Sequence, residues 1–295
     1  MTAAGFTSHF HLFGREEKAA ETPKTSAQQL HLRVIPVEGA PYVLQMRVED
    51  ENILDDQTIE IQKFLKYVSD TFSPKSATSL LSRYNGGDDS GLTENNDFLQ
   101  VVSKCVEAHR VTEGYFQPFR GGKLDPFGML RGWAINEAFN RYVRPLVADG
   151  TAQSASLGSR NDTIYATADD FDLNWNVPIK NSLDSSAPLQ QIVLRNGAIS
   201  TSFANMEAST FEYLGPRDCE QTTIVSPDLA LADVWATAAL AAGTNNFMDL
   251  AQRNRLNAII LTEGEILFNV KDGQVSSVPG VTAGVERPDF LVLNA

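Results

Sequence analysis

Cysteine is nearly absent from this chain of 295 residues: Cys105 and Cys219 are its only two, far apart and in no CxxC or Cys/His grouping of metal-ligand spacing. That scarcity argues against a disulfide scaffold and a thiolate zinc site, and leaves two idle or buried thiols. Histidine is also sparse. His9, His11, His31 and His109 are the whole set, and each reads as a surface or satisfied core residue. Basic residues are outnumbered, 24 Lys and Arg against 37 Asp and Glu, for a formal charge of -13. Polyphosphate backbones are repelled, so nucleic acid is not an expected partner. Any anionic ligand has to be met by a local device such as a helix N-terminus, an Arg or a metal. No long hydrophobic run is present: the most apolar segment, residues 229–242, is too short to span a bilayer and carries Asp233 inside it. Neither a basic n-region before an apolar stretch nor an early lipid-accepting Cys opens the chain, and the expectation is a cytoplasmic protein.

What is present is ordinary for a folded protein: 42% hydrophobic and 21% charged residues, ample for one large core or two smaller lobes. Residues 1–29 mix Ser, Thr, Ala, Glu and Lys without an apolar period and read as a flexible or loosely docked N-terminal arm. Residues 30–37 and 42–48 carry β-type patterns around a Glu-Gly-Ala-Pro turn, a hairpin-like pair. Helical spacing recurs over residues 56–72 and 96–111, flanking a polar loop at 85–88, and a third helix is expected at about 132–146. Short strands are expected through 155–166 and at 190–194. A last helix is expected to run from near Asp228 to Gly243, followed by a closing hairpin of 258–261 and 266–270. No repeat interrupts the pattern, so the class is α+β in mixed order.

Three segments have chemical potential. In residues 228–243, Asp233 and Thr237 stand four apart and share one helix face, which brings a carboxylate and a hydroxyl together as hard oxygen donors suited to Mg²⁺. The same two residues equally suit a plain helix start, with Asp favouring the dipole and Thr bonding its own backbone. Residues 123–136, Lys-Leu-Asp-Pro-Phe-Gly-Met-Leu-Arg-Gly-Trp-Ala-Ile-Asn, place two glycines and a proline before a helix. Such an irregular junction exposes backbone groups to a phosphate or metal beside Arg131, or is simply a tight loop. Residues 198–202, Ala-Ile-Ser-Thr-Ser, form a small-residue strand end that admits a flat ring or phosphate, or a capped turn.

In this order the segments resemble the FAD:protein FMN transferases, the ApbE-type flavin transferases. Ser79-Leu-Leu-Ser-Arg-Tyr-Asn85 is similar to the family's Ser-x-x-Ser-x-x-Asn element, and Thr112-Glu-Gly-Tyr-Phe-Gln117 to its Thr-x-Gly-x-Phe-Asp, with an amide in place of the carboxylate. Asp125-Pro-Phe-Gly-Met-Leu-Arg-Gly-Trp-Ala-Ile-Asn136 keeps Asp125, Gly128, Gly132 and Ala134 of the family's Asp-Leu-Gly-Gly-Ile-Ala-Lys-Gly-Tyr-Ala-Val-Asp, with Arg131 in the Lys place. Ser156-Leu-Gly-Ser-Arg160 stands for Asn-Leu-Gly-Gly-Asp, Trp175 for the family tryptophan, and Ile199-Ser-Thr-Ser-Phe203 for Ile-Ala-Thr-Ser-Gly. Ala232-Asp-Val-Trp-Ala-Thr-Ala238 matches Ala-Asp-x-x-Ala-Thr-Ala in full.

The resemblance implies mixed sheets flanked by helices in a two-lobed architecture with a ligand cleft between the lobes, residues 30–295 forming one domain. It implies Mg²⁺ held by Asp233, Thr237 and the backbone carbonyl of Leu130 against FAD. Asn85, Asp125, Gly128, Arg131, Gly158 and Ser202 would line the flavin nucleotide. The implied reaction moves FMN from FAD to a Ser or Thr hydroxyl of an acceptor protein and releases AMP. One departure is large. The family's His-x-x-Asp-Pro-x-Thr-Gly has no histidine counterpart in residues 213–227, where Asp218 is the candidate substitute. Phe203 in a Gly place and Gln117 in an Asp place also point to an altered pocket. A flavin-binding protein without catalysis and an FAD pyrophosphatase therefore stand beside the transferase.

Overall fold

The computed structural model describes residues 27–37, 40–184, 186–207, 213–278 and 290–291. Most of the expected N-terminal arm, residues 1–26, lies outside them, and so do His9 and His11. Residues 28 and 29 are docked: the Gln28 amide donates to Gln153 Oε1 at 2.7 Å, and the Gln29 carbonyl accepts from Val48 at 3.3 Å.

The expected opening hairpin is present as β1 (Leu30–Ile35) and β2 (Tyr42–Val48), paired antiparallel. Helix α1 (Glu51–Thr71) starts five residues before the apolar period suggests, because its start is set by the Asp50 carboxylate, which accepts from the Asn52 amide. A short α2 (Leu80–Asn85), capped by Ser79, is an element the sequence reading does not contain and ends on the first residue of the expected polar loop, and α3 (Asn96–Val111) follows on the cap of Asn95. After the small hairpin β3 (Phe119–Arg120) and β4 (Lys123–Leu124) comes α4 (Phe127–Tyr142) and then α5 (Arg144–Ala148). Here the structure corrects the sequence expectation. The helix begins at residue 127 rather than 132, so Gly128 to Arg131 lie within a helix and not in an irregular junction. It breaks at Val143, where Pro145 has no N–H to continue the ladder.

The rest of the chain supplies β5 (Ala152–Ser159), β6 (Asp162–Thr167), β7 (Trp175–Ile179), β8 (Gln190–Leu194), β9 (Gly197–Phe203), α6 (Ala204–Glu207) and β10 (Cys219–Ser226). It ends in α7 (Leu229–Ala242), α8 (Thr244–Arg253), β11 (Asn257–Thr262), β12 (Leu267–Lys271), β13 (Gln274–Val278) and β14 (Phe290–Leu291). Gly243 does close α7 as expected, but at φ 76° it also opens α8, an element the sequence reading does not contain. The closing hairpin is likewise extended by β13.

Nine strands form one sheet in the order β1-β2-β5-β6-β9-β10-β11-β12-β13, with antiparallel neighbours throughout. A smaller sheet, β14-β8-β7, mixes a parallel and an antiparallel pair. The fold is α+β, mixed sheets flanked by helices. Side chains alternate between the two faces of the large sheet. One face carries Leu44, Leu157, Ile164, Ala198 and Ile224 into a core shared with Trp133, Phe139 and the alanines of α7. The other face carries Tyr165, Ile199, Val225 and Leu261 against Ile179, Ile192 and Leu194 of the small sheet. Helix α7 is buried along almost its whole length, and its small residues let it lie close to the sheet and to α4.

Candidate functional site

Strand register places a row of polar side chains across the helix-facing side of the large sheet. Tyr42, Ser159, Asp162 and Ser200 fall opposite one another in four adjacent strands, and Ser202 with its partner Thr222 continues the polar floor two residues along. Sequence explains the placement: counting back by two from Ile164 and Ala166, both in the helix-side core, reaches Asp162. Asp162 is fully buried. Its Oδ1 accepts from Ser200 Oγ at 2.7 Å and its Oδ2 accepts from Arg131 Nε on α4. A buried carboxylate is tolerated only with such pairing. Burial, reinforced by Asp162 and opposed by Arg131, raises the pKa of the adjacent Tyr42 phenol above its ordinary value.

One residue beyond Arg131, α4 meets α7. The amide of Gly132 lies 3.3 Å from Asp233 Oδ2, and a Cβ at Gly132 would stand 2.9 Å from Asp233 Cβ and 2.9 Å from the Leu229 carbonyl oxygen. Only glycine leaves room for this crossing. Asn136 ties the same helices, its Oδ1 accepting from the Leu229 amide at 3.2 Å, while Asp228 caps α7 through the Leu231 amide and pairs with Lys104 at 3.2 Å. Asp233 and Thr237, each 3% exposed, sit one turn apart in this packed helix.

Leu130, another expected metal ligand through its carbonyl, is one turn inside α4; its own amide donates to Pro126 at 2.9 Å. A helical carbonyl keeps a second lone pair beside its intrahelical bond. Gly128 packs against the Phe116 ring, where a Cβ would meet Cε2 at 3.0 Å. Asn85 and Asp125 stand apart from the α4–α7 crossing. Asn85 clamps the Leu124 backbone with both ends of its amide, donating to the carbonyl at 2.9 Å and accepting from the N–H at 2.8 Å. Both residues line an open depression of about 500 Å³ with Arg120, Lys123 and Phe127. Gly158 faces the opposite side of the sheet, where a Cβ would meet Thr163 Oγ1 at 2.3 Å.

Phe203, the ring in a Gly place, follows Ser202 and so points to the other face, where Lys180 Nζ lies 6.0 Å from its centroid. Asp218, the candidate stand-in for a histidine, accepts from the Thr244 amide at 2.8 Å and so caps α8 beyond the C-terminal end of α7. His109 is placed elsewhere, its Nδ1 2.9 Å from the Phe116 carbonyl oxygen. Among the described residues no three His, Cys, Asp or Glu side chains gather as a metal cluster. A cation at this crossing would thus take hydroxyl, carbonyl and water oxygens beside Asp233.

No protein-family model matches the sequence, and a comparison with curated proteins finds no match. Solved structures do match. The ApbE protein of Thermotoga maritima superposes with a TM-score of 0.67 at 15% identity, over 81% of this chain and 96% of that one. The apo flavinyl transferase ApbE of Pseudomonas stutzeri gives 0.64 at 14%, covering 86% and 96%. The chain has the ApbE fold. The flavin transferase ApbE of Vibrio cholerae agrees, with a TM-score of 0.60 at 14% identity over 87% of this chain and 98% of that one. Identity this low carries the ApbE fold and not the chemistry, which rests on the side chains above.

Proposed function

We propose that the chain transfers FMN from FAD to a Ser or Thr hydroxyl of an acceptor protein, with Mg²⁺ as cofactor and AMP as the leaving product. The observation that carries this reading is the α4–α7 crossing: Asp233 and Thr237 one turn apart, opened to an adjoining backbone by a glycine whose Cβ would stand 3.1 Å from Asp233 Oδ2. A carboxylate and a hydroxyl, with the Leu130 carbonyl nearby in sequence, make a hard-oxygen donor set of the kind Mg²⁺ takes, leaving its other positions to water and phosphate. When bound, the ion supplies positive charge to the pyrophosphate. Arg131 contributes a fixed cation held by Asp162, and Ser202 a small polar residue beside the strand backbone. Asn85 and Asp125, on the depression beside Lys123, and Gly128, against Phe116, would line the flavin nucleotide in this reading, whereas Gly158 turns to the opposite face of the sheet and would contribute backbone only. In the reaction, the acceptor hydroxyl oxygen bonds to the FMN-side phosphorus, the P–O bond to AMP breaks, and the hydroxyl proton is released. Residues 30–295 act as one domain in this reading, and a cytoplasmic setting fits two buried free thiols.

A second reading is favoured by a specific observation: Asp218 is occupied as a helix cap, and the segment before α7 contains no histidine. General acid–base help of that kind is commonly worth ~10²–10⁴-fold. A flavin-binding protein without transfer, or a pyrophosphatase in which water is the acceptor, uses the same residues. One assay separates them. The protein is incubated with FAD, Mg²⁺ and a Thr-containing acceptor domain, and AMP and protein-bound flavin are followed, with Asp233→Ala and a metal-free sample as controls. Metal-dependent flavin on the acceptor supports the transferase, and AMP with free FMN means the pyrophosphatase. Intact bound FAD means the carrier, and no FAD binding overturns all three.

A further inference from the structure

We propose that β1, at the edge of the large sheet, pairs antiparallel with β1 of a second copy of this chain about a two-fold axis at Leu32. β1 ends the nine-strand order, with β2 on one side and no strand of the described residues on the other. Register identifies which of its backbone groups face outward. Leu30 lies opposite Arg47, so Gln29 lies opposite Val48, and the Val48 amide donates to the Gln29 carbonyl at 3.3 Å. Hydrogen-bonded and non-bonded pairs alternate along an antiparallel ladder. Residues 31, 33 and 35 therefore bond to β2, whereas Leu30, Leu32 and Val34 turn their N–H and C=O groups away from it. The same three residues carry exposed apolar side chains, 41%, 47% and 56% open and all on one face of the sheet. The Leu32 carbonyl also accepts from Arg33 Nη1 at 3.0 Å, which leaves its second lone pair for an incoming N–H.

A sheet edge is ordinarily blunted by a charge, a proline or a bulge. The outward-facing residues of β1 offer none of these, and its pairing with β2 runs without a shift. The opposite edge, β13, is by contrast mostly polar, with Gln274, Ser276 and Ser277. Residues 27–29 lead away from β1: Gln28 exchanges hydrogen bonds with Gln153 of β5 at 2.7 and 3.2 Å, and its carbonyl accepts from Arg47. A second copy fits the edge by symmetry. With the axis at Leu32, that residue meets its own counterpart and Leu30 meets Val34 in both directions. Every outward N–H and C=O of the three residues then gains a partner, and the apolar stripe runs unbroken through six side chains. Charge is complementary on the helix side, where His31 faces Arg33 of the other copy. His31 Nδ1 lies 3.7 Å from Glu51, and Arg33 pairs with Glu51 at 2.5 Å and Asp55 at 2.6 Å, both carboxylates half exposed. Each Arg33 thus approaches a carboxylate of the other copy as well as its own.

The test follows the mass of the protein by sedimentation velocity over about 1–100 µM, a range suited to a small interface. A shift from monomer to dimer is expected. Leu32→Lys alters an exposed side chain, so an unchanged circular dichroism spectrum is expected, with a dimer dissociation constant raised at least ~10-fold because like charges meet at the axis. Two cysteine variants read the register. Leu32→Cys is expected to form a disulfide-linked dimer on oxidation, since residues facing in a hydrogen-bonded pair have Cα atoms about 5.5 Å apart, within disulfide reach. Val34→Cys is expected not to, its counterpart lying four residues along, roughly 13 Å away. The two native thiols are buried and do not compete. A monomer at every concentration overturns the proposal, the edge then being covered by another part of the same chain or by a foreign strand. A dimer that Leu32→Lys leaves intact also overturns it, as does cross-linking of Leu32→Cys no greater than that of Val34→Cys.

Discussion

Gly132 and Asp233 touch through an absent side chain: the position a Cβ would take on Gly132 lies 2.9 Å from the Cβ of Asp233, closer than packed carbons approach. The contact fixes the spacing of α4 and α7 and, with it, the distance between the Asp233 carboxylate and the α4 backbone. Gly132→Ala is therefore expected to push the helices apart. Overpacking of a close-packed core costs about 1–3 kcal/mol, and thermal denaturation is the check. A melting temperature within a degree of wild type would show that the crossing relaxes freely.

Asp233→Asn preserves volume and can still accept from the Gly132 amide, so the variant is expected to fold. Loss of a charged oxygen from a metal shell should lower Mg²⁺-dependent AMP release by at least ~10–100-fold. Activity close to wild type at equal Mg²⁺ would remove Asp233 from the proposed site.

Asp218→Ala separates a capping role from a catalytic one. The carboxylate accepts from the Thr244 amide at 2.8 Å, and loss of a cap costs about 1 kcal/mol. The expected result is a lower melting temperature with the rate per folded molecule unchanged. A fall in rate without a fall in stability would make Asp218 the substitute for the missing histidine.

The two thiols give a pH prediction. Burial pushes both Cys105 and Cys219 from an ordinary 9 up to about 12. In the unfolded chain they ionise above pH 9, while in the folded chain they stay protonated until about 12. The folded state then binds more protons, so stability is full below pH 9 and falls as pH rises from there toward 12. Native protein at pH 8 should resist a thiol reagent that titrates two thiols after unfolding. Rapid labelling of the native protein would contradict the burial.

Much of this was legible because local chemistry decided it. Asp228 and Gly243 mark helix ends through local chemistry, and the alternation in residues 30–37 and 42–48 defines the first hairpin wherever it docks. The start of α4 was not legible. Pro126 provides no side-chain cap, and Gly128 and Gly132 read as a loop because their cost in a helix is visible locally. Their benefit is the close contact each makes with Phe116 or Asp233, residues distant in sequence. Helix α8 was hidden similarly, since Asp218, its cap, comes 26 residues earlier.

The sequence by itself determined the α+β class and the Asp233/Thr237 pair, since both follow from periodicities of two and four residues within one element. It also settled the missing histidine beyond residue 109. Only the tertiary structure decided that Asp162 and Ser200 belong with Arg131, that Phe203 turns away from Ser202, and that Asp218 serves α8. Those outcomes depend on strand register and helix crossing. A one-residue slip in register would move Asp162 to the other face of the sheet, and nothing within its own neighbours in the chain forbids that slip; the packing of α4 and α7 against the helix-side core does.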